Sequence, residues 1–172
     1  MVKNKSGFTI VELLVVIVVI GILASITMVA FSNVQASARD AERKTELASI
    51  AKALQIYELR NGPMYTGSGC GSGGNGNGFF NHEDTTSYLV SMNACLKNAG
   101  IVSTDIIDPS GSTSCSGYTC RTYMKYTCVQ SGETVTYVFA NLEGLPNSDT
   151  ATNTTCGTAI DQNQGMNYYI KL

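Results

Sequence analysis

One acidic side chain lies inside a long apolar stretch near the start of the chain. Residues 8–31 are almost wholly apolar, and Glu12 is the only charged residue among them. As a helix rising ~1.5 Å per residue, this stretch is long enough to cross the ~30 Å hydrocarbon core of a bilayer. A carboxylate inside a membrane is costly without a partner, and such acids are candidates for function. The chemistry that we expect of Glu12 is therefore charge pairing.

A second set of reactive side chains is the cysteines, all of which follow residue 69. The six are Cys70, Cys95, Cys115, Cys120, Cys128 and Cys156. Their position beyond the apolar stretch predicts export to an oxidising compartment, where small domains use disulfides as staples. Six cysteines allow fifteen pairings, and the sequence does not choose among them. Short loops from Cys115 to Cys120 or from Cys120 to Cys128, and a long loop tied by Cys70 or Cys156, all remain open, as do reduced, buried thiols.

Enzymatic and metal chemistry find little support in the sequence. The single histidine, His82, lies beside a glycine-rich stretch with no obvious partner for nucleophilic catalysis. The chain contains no Cys-x-x-Cys pair of the kind that binds zinc. Four aspartates could supply oxygen ligands for calcium, but their spacing does not match that of a calcium-binding loop. These four are Asp105, Asp108, Asp149 and Asp161. We predict no catalytic activity, no cofactor and no metal.

The overall charge also excludes a class of partner. Charged residues make up 14% of the chain, the net charge is −2 and no tryptophan is present. A protein that binds the phosphate backbone of nucleic acid needs a basic face. We therefore expect no direct binding of nucleic acid.

The residues before and inside the apolar stretch resemble the type IV prepilin leader. Lys3 and Lys5 precede Gly7, an aromatic residue follows at Phe8, and Glu12 stands at the fifth position after the glycine. The resemblance implies that a membrane-embedded prepilin peptidase and methyltransferase cuts between Gly7 and Phe8 and that the new Phe8 amine is N-methylated. The apolar helix then stays attached to the mature chain.

An ordinary secretory signal is the alternative at this end of the chain. Such a signal is removed after its apolar region, and small residues suited to that cleavage occur at residues 34–38. The two alternatives predict different mature N-termini. Sequencing of the mature N-terminus separates them.

The apolar stretch continues into an amphipathic helix. Leu47, Ile50, Leu54 and Tyr57 recur at helical spacing, with Ala51 beside them, and predict a stripe that packs on another layer. The segment 61–63, with the sequence Asn-Gly-Pro, is a strong helix stop. The helix is thus expected to run from about residue 9 to residue 60. The charged segment 39–46 is expected to be a solvated face with local Arg39–Glu42 and Asp40–Lys44 pairs.

The second half of the chain combines loops with strands. Seven glycines in residues 67–78 predict a flexible surface loop pinned by Cys70. A short helix is expected within residues 83–99. Residues 121–130 and 134–141 are rich in β-branched and aromatic side chains and predict a hairpin, with a further strand at 167–172 after a long loop.

These elements predict an α+β protein, and the prepilin resemblance implies that it has the type IV pilin-like fold. The long N-terminal helix, transmembrane in its first half, packs on a small antiparallel sheet of three or four strands with disulfide-stapled loops. We expect a leader peptide at 1–7, a transmembrane and filament-core helix at 8–31 and a soluble globular domain at 32–172. In that domain the amphipathic helix runs to about 61, a loop region covers 62–120, and the sheet with its C-terminal loop covers 121–172.

The resemblance implies a structural subunit, a major or minor pilin, of a type IV pilus-like surface filament. Before assembly the chain would cross the cytoplasmic membrane once, with its basic N-terminus inside; afterwards it would lie in an extracellular filament. Implied partners are identical or homologous pilin subunits, the processing enzyme, a pilus assembly platform and membrane lipid before assembly. Glu12 would pair with the Phe8 amine of a neighbouring subunit. Adhesion, twitching and DNA uptake are the roles such filaments support.

Two other functions remain open. One is a pseudopilin like those of type II secretion, although six cysteines and a loop-rich body favour an exposed pilus. The other is a membrane-tethered extracellular binding domain that never polymerises. Electron microscopy of sheared cell-surface material distinguishes the filament subunit from the tethered domain.

Overall fold

The computed structural model describes residues 7–64, 68–81, 90–111, 123–146 and 165–172. The chain divides into two compact units, Met1–Ser37 and Ala38–Leu172. Helix α1, Ile10–Asn61, contributes to both. Several residues singled out from the sequence lie outside the described residues, namely His82, Cys115, Cys120, Asp149, Cys156 and Asp161.

In the first unit, α1 begins at Ile10, one residue after the predicted start. Valine and isoleucine dominate its first turns and are not strong helix formers in water. In a bilayer, however, a helix satisfies every backbone hydrogen bond within one segment. Among the described residues this is the one helix long and apolar enough to cross a membrane, by length and composition.

In the second unit, the predicted apolar stripe of α1 forms the core. Leu47, Ile50 and Leu54 are fully buried, and Ala51 and Ala53 pack beside them. Tyr57 packs against the edge of the same cluster. The spacing of three and four residues therefore identified the buried face of the helix correctly.

The predicted stop ends the helix. α1 ends at Asn61, and Gly62 adopts a left-handed conformation with φ of 82°. The Gly62 N–H donates to the Glu58 carbonyl at 3.0 Å, which satisfies one of the last carbonyls of the helix. Pro63 follows and cannot continue the helical hydrogen bonding.

A four-stranded antiparallel sheet packs against this part of α1. The strands are β1 (Gly78–Phe79), β2 (Met124–Gln130), β3 (Glu133–Ala140) and β4 (Tyr168–Lys171), in spatial order β1-β2-β3-β4. The hairpin and the last strand lie where the sequence predicted them. Val138 and Ile170, which are cross-strand partners, face the α1 core, whereas Phe139 and Tyr169 belong to a second cluster on the other face.

The hairpin between β2 and β3 has a two-residue turn. Ser131 and Gly132 have φ values of 52° and 87°, and Gln130 pairs with Glu133 across the turn. Positive φ at both central residues matches the twist of the flanking strands. The turn therefore fixes the register of the hairpin.

The glycine-rich segment has more structure than the predicted loop. Within residues 68–81 the chain forms a 3-10 turn at Ser72–Gly74 and then strand β1. A disulfide joins Cys70 to Cys95 in helix α2 (Met92–Asn98), and Cys70 is almost fully buried. Cys128 is also disulfide-bonded. The sequence did anticipate that Cys70 would pin this segment, but not that the segment would add a strand to the sheet.

Candidate functional site

The acid in the apolar stretch forms a capping box at the start of α1. The Thr9 N–H and the Thr9 hydroxyl both donate to Glu12 Oε2 at 2.8 Å, and the Glu12 N–H donates to Thr9 Oγ1 at 3.3 Å. Reciprocal bonds of this kind satisfy amide groups that a helix N-terminus leaves without partners. This capping box was not predicted from the sequence, although the pattern Thr-x-x-Glu before an apolar run is its signature.

This arrangement leaves part of the Glu12 carboxylate available. Oε2 takes both hydrogen bonds from Thr9, and Oε1 accepts none from the described residues. The positive end of a helix dipole also favours a carboxylate at this position. Glu12 can thus be held in place by its own chain and still accept from an outside cation.

The bond that the prepilin resemblance marks for cleavage lies next to this site. Gly7 and Phe8 are both exposed, and Phe8 has 90% of its surface accessible. The Gly7–Phe8 bond therefore lies one residue before the capping box, and both residues that it joins are exposed.

The surface that follows Glu12 is apolar, and no other described residue of its unit covers it. All residues from 13 to 28 are exposed, and even the least exposed large apolar side chain, Val19, has 48% of its surface accessible. The hydroxyls of Ser25 and Thr27 donate back to helix carbonyls, Ser25 to Ile22 at 2.7 Å. Glu12 is consequently the one charged group on a surface suited to lipid or to other apolar helices.

The charged segment 39–46, expected to be solvated, instead contains a buried cluster in the second unit. Arg43 has no exposed surface. Its guanidinium donates to both carboxylate oxygens of Asp108, at 2.7 and 3.0 Å, to Asp40 at 2.9 Å and to Glu143 at 2.8 Å. We call these four residues the Arg43 cluster. The cluster ties α1 to two segments that are 65 and 100 residues away in sequence.

The local ion pairs predicted for this segment are replaced by distant ones. Arg39 donates to both oxygens of Glu143, at 2.7 and 2.6 Å, rather than to Glu42. Asp40 accepts from Arg43 and from the backbone N–H groups of Glu143 and Gly144, rather than pairing with Lys44. The prediction was wrong because helical spacing reports neighbours on one helix only and not the loops that fold against it.

The guanidinium groups change how their acidic partners titrate. The hydrogen bond from Arg39 lowers the pKa of Glu143 to about 2, and Arg43 acts in the same direction against the opposing effect of burial. Burial raises the pKa of Glu46, although the hydroxyl of buried Tyr123 donates to its carboxylate. Glu143 therefore stays ionised well into the acidic range.

The two described aspartates that were considered as calcium ligands are engaged otherwise. Asp108 binds Arg43 and accepts from the Ser110 N–H and hydroxyl. Asp105 accepts from Lys97 at 3.0 Å and from Asn93. Among the described residues no group of three or more acidic, histidine or cysteine side chains lies close enough to hold a metal ion.

A buried lysine holds the glycine-rich segment to the sheet. Lys125 has no exposed surface, and its ammonium donates to the carbonyls of Met64 and Gly76 and to Thr127 Oγ1, at 2.7, 2.8 and 2.9 Å. Burial lowers the pKa of Lys125 to about 8, partly offset by the charge of Glu58. A lysine in a strand carries no sequence signal for burial, so this contact was not predicted.

The lowered pKa of Lys125 predicts a pH-dependent stability. The unfolded chain keeps its proton up to about pH 10.5, whereas the folded chain loses it near pH 8, so the unfolded state binds more protons between these values. The free energy of unfolding should therefore rise with pH from about 8 to 10.5, by about 3 kcal/mol from this group. Urea unfolding of the full chain in micelles, followed by near-ultraviolet circular dichroism of its tyrosines, measures this rise.

The variant Lys125→Met is the control, because other groups also titrate in this range. The difference between the wild type and Lys125→Met isolates the contribution of this lysine. Parallel pH profiles for the two proteins would contradict the prediction.

Comparison with known proteins adds to this geometry. Residues 2–28 match a family model described as the prokaryotic N-terminal methylation motif. Type II secretion system core protein G of Pseudomonas aeruginosa is 36% identical over 59 residues, which are 34% of this chain and 42% of that protein. The same-named protein of Aeromonas hydrophila is 34% identical over 59 residues, 34% of this chain and 41% of that protein.

The similarity is limited in extent. The chain spans about two fifths of the length of these relatives. No solved structure matches the chain. The match over residues 2–28 nevertheless confirms the prepilin resemblance that Gly7, Phe8 and Glu12 carry.

Proposed function

We propose that this chain, which carries the prokaryotic N-terminal methylation motif, is a subunit of a type IV pilus-like filament. The observation that carries the proposal is the single carboxylate of Glu12, held at the start of an exposed apolar helix one turn beyond the Gly7–Phe8 bond. A capping box uses only Oε2 of this acid, and a carboxylate inside a membrane is costly without a charged partner. Similarity to two subunits of the type II secretion system supports assembly with similar subunits.

Processing would create the partner that Glu12 needs. Cleavage between Gly7 and Phe8 releases a new amine at Phe8, which N-methylation leaves positively charged. Glu12 Oε1 is free to accept from such an amine on a neighbouring subunit, while Thr9 continues to hold Oε2. The capping box would thus orient the carboxylate before and after assembly.

The apolar helix would supply the assembly surface but little of its driving force. Lipid tails and the apolar helices of neighbouring subunits are about equally apolar, so transfer between them gains little hydrophobic free energy. A charge left unpaired in that environment is destabilising, whereas a paired charge is tolerated. Pairing of Glu12 with the Phe8 amine would therefore select the register between subunits.

The remaining partners and the location follow from the same proposal. The basic leader would remain in the cytoplasm, where the prepilin peptidase and methyltransferase acts, and the body would be exported. The Cys70–Cys95 disulfide suits an oxidising compartment. An assembly platform would then move the subunit from the membrane into the filament. Adhesion, twitching motility and DNA uptake are the roles proposed for a surface pilus.

A pseudopilin is the second candidate. The relatives named above are type II secretion system core proteins, and this similarity favours a pseudopilus as directly as a pilus. The two differ in where the filament ends. A pilus extends beyond the cell surface and is recovered by shearing, whereas a short periplasmic pseudopilus is not.

Electron microscopy of sheared surface material, with mass spectrometry of its main protein band, tests the proposal. We expect thin filaments that contain this chain beginning at N-methylated Phe8. If the sheared fraction contains no filaments while the membrane contains the correctly processed chain, the pseudopilin is favoured. A chain that keeps Met1 when the processing enzyme is present, or that begins beyond residue 36, would overturn both candidates.

A further inference from the structure

A polar cleft lies where α1 ends against the sheet. Along β2, burial on the face toward α1 falls from Lys125, which is fully buried, through Thr127, which is half-buried, to Val129, which is 70% exposed. The helix thus covers only part of this face. The cleft has a volume of about 310 Å³ and is lined by Glu58, Pro63, Thr127, Thr134, Thr136 and Leu172.

A row of hydrogen bonds leads from the buried lysine into this cleft. Lys125 Nζ donates to Thr127 Oγ1 at 2.9 Å, and Thr127 Oγ1 lies 2.9 Å from Thr136 Oγ1. An ammonium only donates, so the Thr127 oxygen accepts from it. The two hydroxyls share one bond between them, which uses one of their two protons. The other proton is left to donate to a molecule in the cleft.

The remaining polar groups of the cleft face the same space. Glu58 is half-buried, and its carboxylate accepts no hydrogen bond from the described residues. Thr134, the cross-strand partner of Val129, is exposed and its hydroxyl likewise has no partner among the described residues. The cleft therefore offers a strong acceptor and two hydroxyls.

The charges around the cleft select the charge of its ligand. The ammonium of Lys125 lies behind the threonines, and the carboxylate of Glu58 lies close enough to interact with it electrostatically. The buried ammonium partly offsets the charge of Glu58, so a cation gains less here than beside an isolated carboxylate, and an anion is repelled by Glu58 itself. Pro63 and Leu172 add apolar surface. The chemistry matches a neutral ligand with several hydroxyls and a C–H face.

We infer that this cleft binds an uncharged polyhydroxylated ligand, namely one sugar unit. A ligand hydroxyl would accept from the Thr127–Thr136 pair, and another would donate to Glu58. The C–H face of the ring would lie against Pro63 and Leu172. The site belongs to the second unit and does not depend on filament formation, so its test is independent of the proposed function.

Saturation-transfer NMR on the full chain tests this inference. The chain is held in zwitterionic micelles without sugar headgroups, and the probes are methyl α-glucoside, methyl β-galactoside and N-acetylglucosamine, with acetate and methylammonium as charged comparators. We expect transfer to at least one sugar and less to either ion. Thr136→Val, which keeps the shape of the side chain and suits a strand, should weaken sugar binding about fivefold.

Two further variants sharpen the result. Glu58→Gln should also weaken binding about fivefold or more, because hydrogen bonds to a charged acceptor are the stronger ones. Thr45→Val removes an exposed helix hydroxyl that donates only to the Ala41 carbonyl, and it should leave binding unchanged. No transfer to any sugar from folded protein, equal affinity in Thr136→Val and wild type, or stronger transfer to an ion would overturn the inference.

Discussion

Replacing Glu12 by valine is expected to abolish incorporation into filaments while leaving cleavage after Gly7 largely intact. Valine removes the only charged side chain in residues 8–31, and the methylated amine of Phe8 on the neighbouring subunit then has no partner in an apolar bundle. We expect the ratio of sheared to membrane-bound protein to be at least about tenfold lower for the variant than for the wild type. Quantitative mass spectrometry of both fractions measures this ratio.

Matched variants separate the charge of Glu12 from its place in the capping box. Glu12→Gln keeps an acceptor for Thr9 but removes the charge, so it should assemble poorly. Thr9→Val keeps the charge but removes the hydroxyl that holds it, so it should assemble better than Glu12→Gln. Thr27→Val, which removes a hydroxyl bonded within the helix, should behave as wild type. Normal filaments from Glu12→Val would rule out the pairing.

Replacing Arg43 by methionine is expected to lower the free energy of unfolding of the body by about 3–5 kcal/mol. Methionine fills much of the same volume but leaves the carboxylates of Asp40, Asp108 and Glu143 without the cation that all three contact. Removing one partner from a buried ionic cluster costs far more than removing an exposed charge. Urea unfolding of the full chain in micelles gives the difference.

Arg60→Met is the control for Arg43→Met. Arg60 lies in the last turn of the same helix and is exposed, so its replacement should change stability by less than about 0.5 kcal/mol. Similar losses in the two variants would show that the Arg43 cluster contributes no more than a surface charge does.

The cluster also predicts how acid acts on the protein. The pKa of Glu143 is lowered from its usual 4.5 to about 2 in the folded state, so its stabilising contribution is complete above pH 4.5 and is lost as the pH falls toward 2. In Arg43→Met part of this lowering is removed, and stability should fall less steeply over the same range. An unchanged slope would contradict the role given to Arg43.

The sequence alone determined the features that depend on neighbours along the chain. The N-terminal motif, the apolar stripe of α1, the stop at Gly62 and the strands of the hairpin all follow from residue types at short, regular spacing. Each of these features depends on a local backbone preference or on a repeating apolar face. Residues that lie close together in the sequence determine both properties. The capping box was equally local, and the Thr-x-x-Glu pattern would have revealed it.

Only the tertiary structure decided which charges are buried and what they touch. Arg43 and Arg39 sit in a segment whose composition indicates a solvated face, yet their partners come from loops 65 to 104 residues away. Lys125 is buried because two carbonyls from distant segments meet its ammonium, and Cys70 meets Cys95 because the glycine-rich segment folds back onto α2. Contacts of this kind form only when segments that are distant in sequence come together. The spacing of residues within one helix or strand carries no information about them.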